Sequence, residues 1–295
     1  MQNKTFKQHR LVYFLFTAPA LLFYSFFFVF PVVTGIYYSM TDWNGVSRKY
    51  NFIGFGNFVG MFRDERLLNS LLVNLNYIVV IIVVIPCLSL LTALVLNSRA
   101  IKFNTFFRSL YFFPAVLSLI TVALIWNEIF YRAIPLIGEK IGLEFLTTNI
   151  LSSKSTAIYG ILLVHIWQGL AVPTVLLLAG LQTIPKSLFE AATIDGANAF
   201  QKFKSITFPF LIPVLNIILV LTLKAGLTAF DYIKGMTDGG PGGATEVIGI
   251  LIFRHAFSEM KFSYAITESL LLFVIIAVVS FIQFRFMNKK EVGEQ

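Results

Sequence analysis

The sequence predicts an all-α membrane protein with six spanning helices in a single domain over residues 1–295, and three observations support this fold class. The chain is 57% hydrophobic and 13% charged, with a mean hydropathy of +0.79, whereas soluble domains are about 25% charged. It contains 32 Phe and 11 Tyr, which suit a lipid-facing surface with aromatic belts. Six apolar runs are each about as long as the roughly 20 residues that a helix needs to cross a bilayer.

The predicted spans cover residues 11–40, 71–97, 109–130, 156–181, 210–230 and 262–287. The first follows a basic N-terminal segment, but it is longer than the apolar core of about 7–15 residues that signal peptides have. We therefore expect an uncleaved helix, bent at Pro19 and Pro31. The segment from Tyr131 to Ser155 is predicted to be too weakly apolar to cross the bilayer.

A polar-rich segment between the fourth and fifth spans, residues 185–206, predicts a short helix–turn–helix, which we call the elbow. Pro185 suits the first turn of a helix, where its missing N–H is not needed. Lys186 to Ile194 has an amphipathic pattern. Gly196 accepts the left-handed conformation common just after a helix end, and Asn198 can cap the second helix, which leads into the fifth span.

The distribution of basic residues predicts that both termini and the elbow are cytoplasmic. An even number of spans places both termini on one side, and cytoplasmic loops carry an excess of Lys and Arg. The short segments on the side of the termini hold Lys4, Lys7, Arg10, Arg99, Lys102, Arg108, Lys186, Lys202, Lys204, Arg285, Lys289 and Lys290. The longer loops of the other side hold basic residues diluted among acidic ones.

The elbow contains the pattern E-A-A-x-x-x-G, formed by Glu190, Ala191, Ala192 and Gly196 and followed by an ending from Ile206 to Pro209. This pattern resembles the cytoplasmic coupling loop of binding-protein-dependent ABC importer permeases. The resemblance extends from about Thr17 to Lys290 and is to the maltose-type carbohydrate permeases, with a preference for the first of the two permeases in such systems. The supporting segments are residues 41–43, 57–58, 107–114, 182–185 and 237–242.

The resemblance implies a type I ABC importer permease, in which this chain forms half of the translocation pathway of an ATP-driven sugar importer. The implied partners are a second permease, two cytoplasmic ATPase subunits that bind ATP and Mg²⁺, and an extracellular solute-binding protein. The implied location is the bacterial inner membrane, and this chain has no cofactor of its own. The residues expected to receive the ATPase motion are Glu190, Ala191, Ala192, Asp195 and Gly196.

The resemblance places the sugar site on the fourth and fifth spans, where aromatic faces and a few polar groups are expected. Our candidates are Trp167, Gln168, Thr222, Phe230 and Asp231, and a helix-packing role for the Trp and Gln is an equal alternative. Glycerol phosphate or a polyol is the alternative substrate class. A phosphate ester would favour arginines in the cavity, whereas the spans offer only a lysine.

Other classes of protein have little support in the sequence. There is no P-loop, no H-E-x-x-H and no G-x-S-x-G, so we expect no ATP site or catalytic motif in this chain. An intramembrane enzyme would need the side chains of His165, Asp231 and Glu268 to meet in one site. A channel would not need the elbow, so its presence argues against a channel. The net charge of +8 is scattered between apolar runs, so membrane orientation explains it better than nucleic acid.

Cysteine and histidine usage predicts no covalent or metal cross-link. The single Cys87 excludes an internal disulfide. His9, His165 and His255 are too dispersed along the chain to predict a metal site.

Two charges inside the predicted spans form a candidate intramembrane pair. Lys224 lies in the fifth span and Glu268 in the sixth, both nearly two helical turns from the same surface. Each charge alone costs about 2.5–3.5 kcal/mol at mid-membrane. Attraction at contact distance is of order 4 kcal/mol at an effective dielectric of about 20, which sustains a pair. The alternative is that Lys224 extends to the interface while Glu268 faces a wet cavity.

Overall fold

The computed structural model describes residues 2–98 and 104–287, and this part of the chain is almost entirely helical. The described residues form no strand, only one isolated bridge between Thr41 and Phe52. The predicted all-α fold is therefore confirmed. Four of the basic residues used to predict orientation, Arg99, Lys102, Lys289 and Lys290, lie outside the described residues.

Six helices in the described ranges are long and apolar enough to cross a membrane, and we number them spans 1 to 6. They are Tyr13–Ser39, Glu65–Asn97, Leu119–Ile141, Ala157–Gln182, Ala199–Leu227 and Phe262–Arg285. The shortest has 23 residues, which at 1.5 Å per residue exceeds the roughly 30 Å hydrocarbon core. The predicted number of spans is confirmed.

Span 1 departs from a regular α-helix next to Pro31 but not at Pro19. The α-helix Gln2–Tyr24 runs through Pro19, and a π-turn, Ser25–Val29, separates it from the α-helix Phe30–Ser39. Pro31 follows this turn directly and has no N–H to donate. The wider π-turn therefore lies where the regular hydrogen-bond ladder would be interrupted.

Span 3 starts and ends about ten residues later than predicted. The helix Asn104–Phe112 passes into a 3₁₀ turn, Phe113–Val116, and two extended residues precede the helix Leu119–Glu128. A π-turn, Ile129–Ala133, and the helix Ile134–Ile141 then complete the span. Pro114 explains the break before Leu119. The mean hydropathy of this span is 1.4, the lowest of the six, which explains why its second half was predicted not to cross.

The contacts divide the chain into two compact units, and the single domain over residues 1–295 stays a prediction. The first unit comprises Met1–Asp64 and Ile252–Leu271, and the second comprises Glu65–Leu251 and Leu272–Gln295. The first unit is joined by hydrogen bonds from Thr41 Oγ1 to Ser263 Oγ, at 2.9 Å, and from Ser263 N to the Trp43 carbonyl, at 2.9 Å. These contacts attach the segment after span 1 to the first turn of span 6.

The second unit contains two apolar cores. The core around Tyr77 and Ile161 joins spans 2, 3 and 4 to the helices that follow span 5, and the core around Leu177 and Leu211 joins spans 2, 4 and 5. Close helix approach depends on small residues, and Gly226 illustrates it. A Cβ at this position would lie 2.8 Å from Ile78 Cγ1.

Candidate functional site

The first helix of the elbow is Lys186–Ile194, and its end is defined by a left-handed glycine. Pro185 is the N-cap, one residue before the helix, rather than part of the first turn as predicted. Gly196 has φ +75°. The Gly196 N–H donates to the Thr193 carbonyl at 3.1 Å and the Ala197 N–H donates to the Ala192 carbonyl at 2.9 Å. This pair of bonds is the Schellman motif, so the predicted turn at Gly196 is present.

The second half of the elbow is the start of span 5 and not a separate helix. Asn198 caps Ala199–Lys202 reciprocally with Gln201, at 2.9 and 2.7 Å. A π-turn, Phe203–Thr207, then leads without interruption into Phe208–Leu227. The sequence predicted a second short helix that leads into Pro209, with span 5 starting at residue 210. Pro209 instead lies at the start of the following helical segment, where its missing N–H is tolerated.

The elbow presents an exposed surface whose shape is held by local bonds. Glu190, Ala191, Asp195 and Gly196 are exposed, and Ala192 is half-buried. A hydrogen bond of 2.8 Å from Lys202 Nζ to Thr193 Oγ1 ties the two arms together. The arrangement is a solvent-facing corner held in shape by these local hydrogen bonds.

Two large apolar side chains project from this corner and were missed by the sequence analysis. Ile194 is 87% exposed and Phe200 is 71% exposed. Two apolar side chains this exposed on one short segment are candidates for contact with a partner protein. The signal was visible in the sequence, because an isoleucine directly before Asp195-Gly196 has no core-facing position in the helical pattern.

A chain of buried polar groups crosses the second unit at spans 2 and 4. The Tyr77 hydroxyl is 2.7 Å from His165 Nδ1, and the His165 ring stacks on the Tyr232 ring at a centroid distance of 4.8 Å. The Tyr232 hydroxyl donates to Gln168 Oε1 at 2.9 Å. Gln168 Nε2 in turn donates to the carbonyl oxygens of residues 114 and 117, both at 3.0 Å. Gln168 therefore fastens the broken start of span 3 to span 4.

Three of the five predicted sugar-site residues line one cavity of about 350 Å³. Gln168, Phe230 and Asp231 belong to its wall, together with His165 and Tyr232, which the sequence analysis did not include. Among the residues that the structure describes, none that lines this cavity is Arg or Lys. One of them, Asp231, carries a carboxylate. The wall combines aromatic rings with amide, imidazole and carboxylate groups, a mixture of apolar and polar groups that is typical of small-molecule sites.

The other two predicted site residues lie elsewhere. Trp167 lines a separate, mostly apolar cavity of about 570 Å³ and packs edge-to-face on Trp126, with ring centroids 5.6 Å apart. Thr222 is 4% exposed and belongs to neither of these two cavities. Their assignment to a sugar site stays a prediction without support from this geometry.

The carboxylate of Glu268 has a partner that the sequence analysis overlooked. Its two oxygens lie 3.0 and 2.9 Å from His255 Nδ1, and both side chains are buried. Lys224 is exposed. The pairing of Lys224 with Glu268 stays a prediction, and His255 now competes for the same carboxylate.

Comparison with known proteins places this fold among transport permeases. No family model matches the chain. It is 40% identical over 266 residues to the multiple sugar-binding transport system permease protein MsmF of Streptococcus mutans, covering 90% of this chain and 91% of MsmF. It is 33% identical to the probable starch degradation products permease AmyD of Thermoanaerobacterium thermosulfurigenes, covering 97% of each chain. It is 30% identical to the sn-glycerol-3-phosphate permease UgpA of Agrobacterium fabrum, covering 98% and 99%.

Comparison with a solved structure defines the fold class of the chain. A chain of a bacterial alginate ABC transporter, crystallised with a periplasmic protein that holds an alginate pentasaccharide, superposes with a TM-score of 0.85 at 20% identity, covering 99% of both chains. The fold is thus that of a multi-pass ABC importer permease. With the curated relatives, it shows that the chain belongs to the family of carbohydrate ABC importer permeases and is a transport protein rather than an enzyme. The resemblance stated from the sequence is confirmed.

Proposed function

We propose that this chain is the permease subunit of an ATP-driven importer for a neutral sugar or oligosaccharide, and that the elbow receives the motion of an ATPase subunit. The main observation that supports this proposal is the exposed elbow. Its corner is braced by the Schellman turn, the capping box and the bond from Lys202 to Thr193. A braced corner transmits a push from a partner to span 5 as rigid-body motion, because the second arm and the span are one helix.

The proposed assembly contains a second permease, two ATPase subunits that bind ATP and Mg²⁺, and an extracellular solute-binding protein. The location proposed is the bacterial inner membrane, with both termini and the elbow in the cytoplasm. The names of MsmF and AmyD support sugar as cargo, and the alginate transporter supports a binding protein that delivers an oligosaccharide.

The cavity beside Asp231 favours a neutral sugar over glycerol phosphate, the substrate class named for UgpA. A phosphate dianion needs cationic or N–H donors, and the described wall supplies no Arg or Lys but does supply a carboxylate. A sugar hydroxyl donates to a carboxylate without charge repulsion. The aromatic rings of Phe230 and Tyr232 supply the apolar faces on which sugar rings stack.

Uptake by the purified complex in proteoliposomes tests the cargo. We expect ATP-dependent uptake of labelled neutral oligosaccharides and none of labelled glycerol 3-phosphate. Asp231→Asn should raise KM for the sugar about tenfold, since a hydrogen bond to a charged group contributes about 1.5–3 kcal/mol. Trp167→Ala is the control, because its cavity is separate, and it should leave KM unchanged. If the complex takes up glycerol 3-phosphate and does not take up neutral sugars, the proposed substrate class is wrong.

A further inference from the structure

One cluster of metal-ligand side chains in the first unit is unrelated to the elbow and the Asp231 cavity. It consists of Asp64, directly before span 2, His255, in the π-turn Arg254–Ser258, and Glu268, in the second turn of span 6. Their ligand atoms all lie within 4.8 Å of one another. We propose that these three side chains bind one divalent transition-metal ion of the Zn²⁺ type, which joins three separate segments of this unit.

The geometry is close to what one ion requires. Zn²⁺ lies about 2 Å from nitrogen and oxygen ligands, so two ligands of one ion are at most about 4 Å apart. The cluster needs a contraction of less than about 1 Å to meet this limit. One imidazole and two carboxylates suit a transition metal better than Mg²⁺ or Ca²⁺, which prefer oxygen-only sets.

Neighbouring groups hold the ligands in the orientation that a metal needs. Metal-bound histidines generally donate their second ring N–H to a carboxylate. Glu259 Oε2 lies 3.8 Å from His255 Nε2 and needs a shift of under about 1 Å to accept that bond. The same Glu259 oxygen accepts a bond of 2.8 Å from Lys261 Nζ. The Tyr264 hydroxyl donates to Asp64 Oδ2 at 3.0 Å and so holds the Asp64 carboxylate beside the other two ligands.

The backbone around His255 is unusual in a way that serves this arrangement. The π-turn Arg254–Ser258 places His255 beside span 6, and π-turns inside helices are frequent at functional sites. Met260 ends the turn with φ +56°, a left-handed conformation that a non-glycine residue adopts at a cost. The Lys261 N–H then donates to the His255 carbonyl at 2.8 Å and returns the chain to span 6.

Charge and access also favour an ion. Glu268 is 0% exposed and Asp64 is half-buried, and bringing two carboxylates together in a partly dry site is unfavourable without a cation. A dication offsets both charges, whereas a protonated His255 offsets one. A cavity of about 400 Å³ borders Asp64 and Tyr264 and provides the access path.

The experiment uses the full-length chain purified with its partner subunits, stripped with EDTA and titrated with ZnCl₂. Bound zinc is measured by mass spectrometry after gel filtration, and the melting temperature is measured in parallel. Relative to the EDTA-stripped complex, we expect ZnCl₂ to add one bound Zn²⁺ per permease chain and to raise the melting temperature. Glu268→Gln and Asp64→Asn should each abolish that additional binding, and Glu259→Gln should weaken it about 10–100-fold.

Glu246→Gln is the matched control, because Glu246 is also a buried carboxylate but is bound to Arg66 at 2.8 Å outside the cluster. It should retain zinc binding. If Glu268→Gln fails to fold, the half-buried Asp64 provides the decisive variant. The proposal is overturned if wild-type complex takes up no more zinc than Asp64→Asn. In that case the cluster is a hydrogen-bonded imidazole–carboxylate pair and nothing more.

Discussion

Gln168 shows how one polar residue inside a membrane helix joins that helix to a neighbouring segment through hydrogen bonds. Its amide makes three hydrogen bonds, two to carbonyl oxygens in the break before span 3 and one to the Tyr232 hydroxyl. Gln168 and Tyr232 are buried, so each of these bonds offsets part of the cost of removing polar groups from water. The geometry favours the helix-packing role for Gln168, although Gln168 also lines the cavity beside Asp231.

Replacing Gln168 should therefore lower stability. Gln168→Leu leaves two carbonyls and one hydroxyl without that partner, at about 1–3 kcal/mol for a buried group left unpaired. We expect the melting temperature of the purified complex to fall by a few degrees. Gln182→Leu is the control, since Gln182 is exposed at the end of span 4. Equal melting temperatures for both variants and wild type would contradict the fastening role.

At the scale of elements, the elbow is a local structure with a long-range consequence. Short-range bonds define its corner, yet its second arm continues as span 5 to Leu227. Ile194 and Phe200 stand on either side of the corner as exposed apolar contacts. The geometry suits an element that docks at one end and moves the membrane helix at the other.

The Gly196 turn can be tested against a matched turn elsewhere. Gly196 and Gly142 have φ +75° and +72°, and each has open space where a Cβ would lie. Valine is strained equally at both positions, since the left-handed conformation costs an ordinary residue about 1–2 kcal/mol. We expect Gly196→Val to reduce ATP-driven uptake about tenfold, the effect of roughly 1.4 kcal/mol of lost docking.

Gly142→Val should transport at nearly the wild-type rate, with both variants present in the membrane in similar amounts. Equal losses in the two variants would mean that backbone strain, and not ATPase docking, is responsible.

At the scale of the whole molecule, six spans and the distribution of charge predict the sidedness of the chain. In the proposed topology, the elbow and the termini share one side of the membrane, and the segment between spans 1 and 2 lies on the other. That segment is polar and packs on the first turn of span 6 through Thr41 and Ser263. Asp64 of the cluster belongs to this same segment, so the proposed sidedness also decides which compartment supplies the proposed ion.

Thiol labelling tests the orientation, because Cys87 is the single cysteine. In a Cys87→Ser background, Asp195→Cys should react with a membrane-impermeant maleimide in inverted vesicles and be protected in intact cells. Arg48→Cys, in the exposed segment after span 1, should show the opposite pattern. Labelling of Asp195→Cys in intact cells would reverse the proposed topology.

The sequence by itself determined the class of fold, the number of spans and the turn of the elbow. Each depends on residues close along the chain: the length of an apolar run, or the glycine that follows a helix. The bonds of Gln168 and the meeting of Asp64, His255 and Glu268 were decided by tertiary structure. Their partners are distant in sequence, and a pattern read along one helix does not specify which neighbour satisfies a buried polar group.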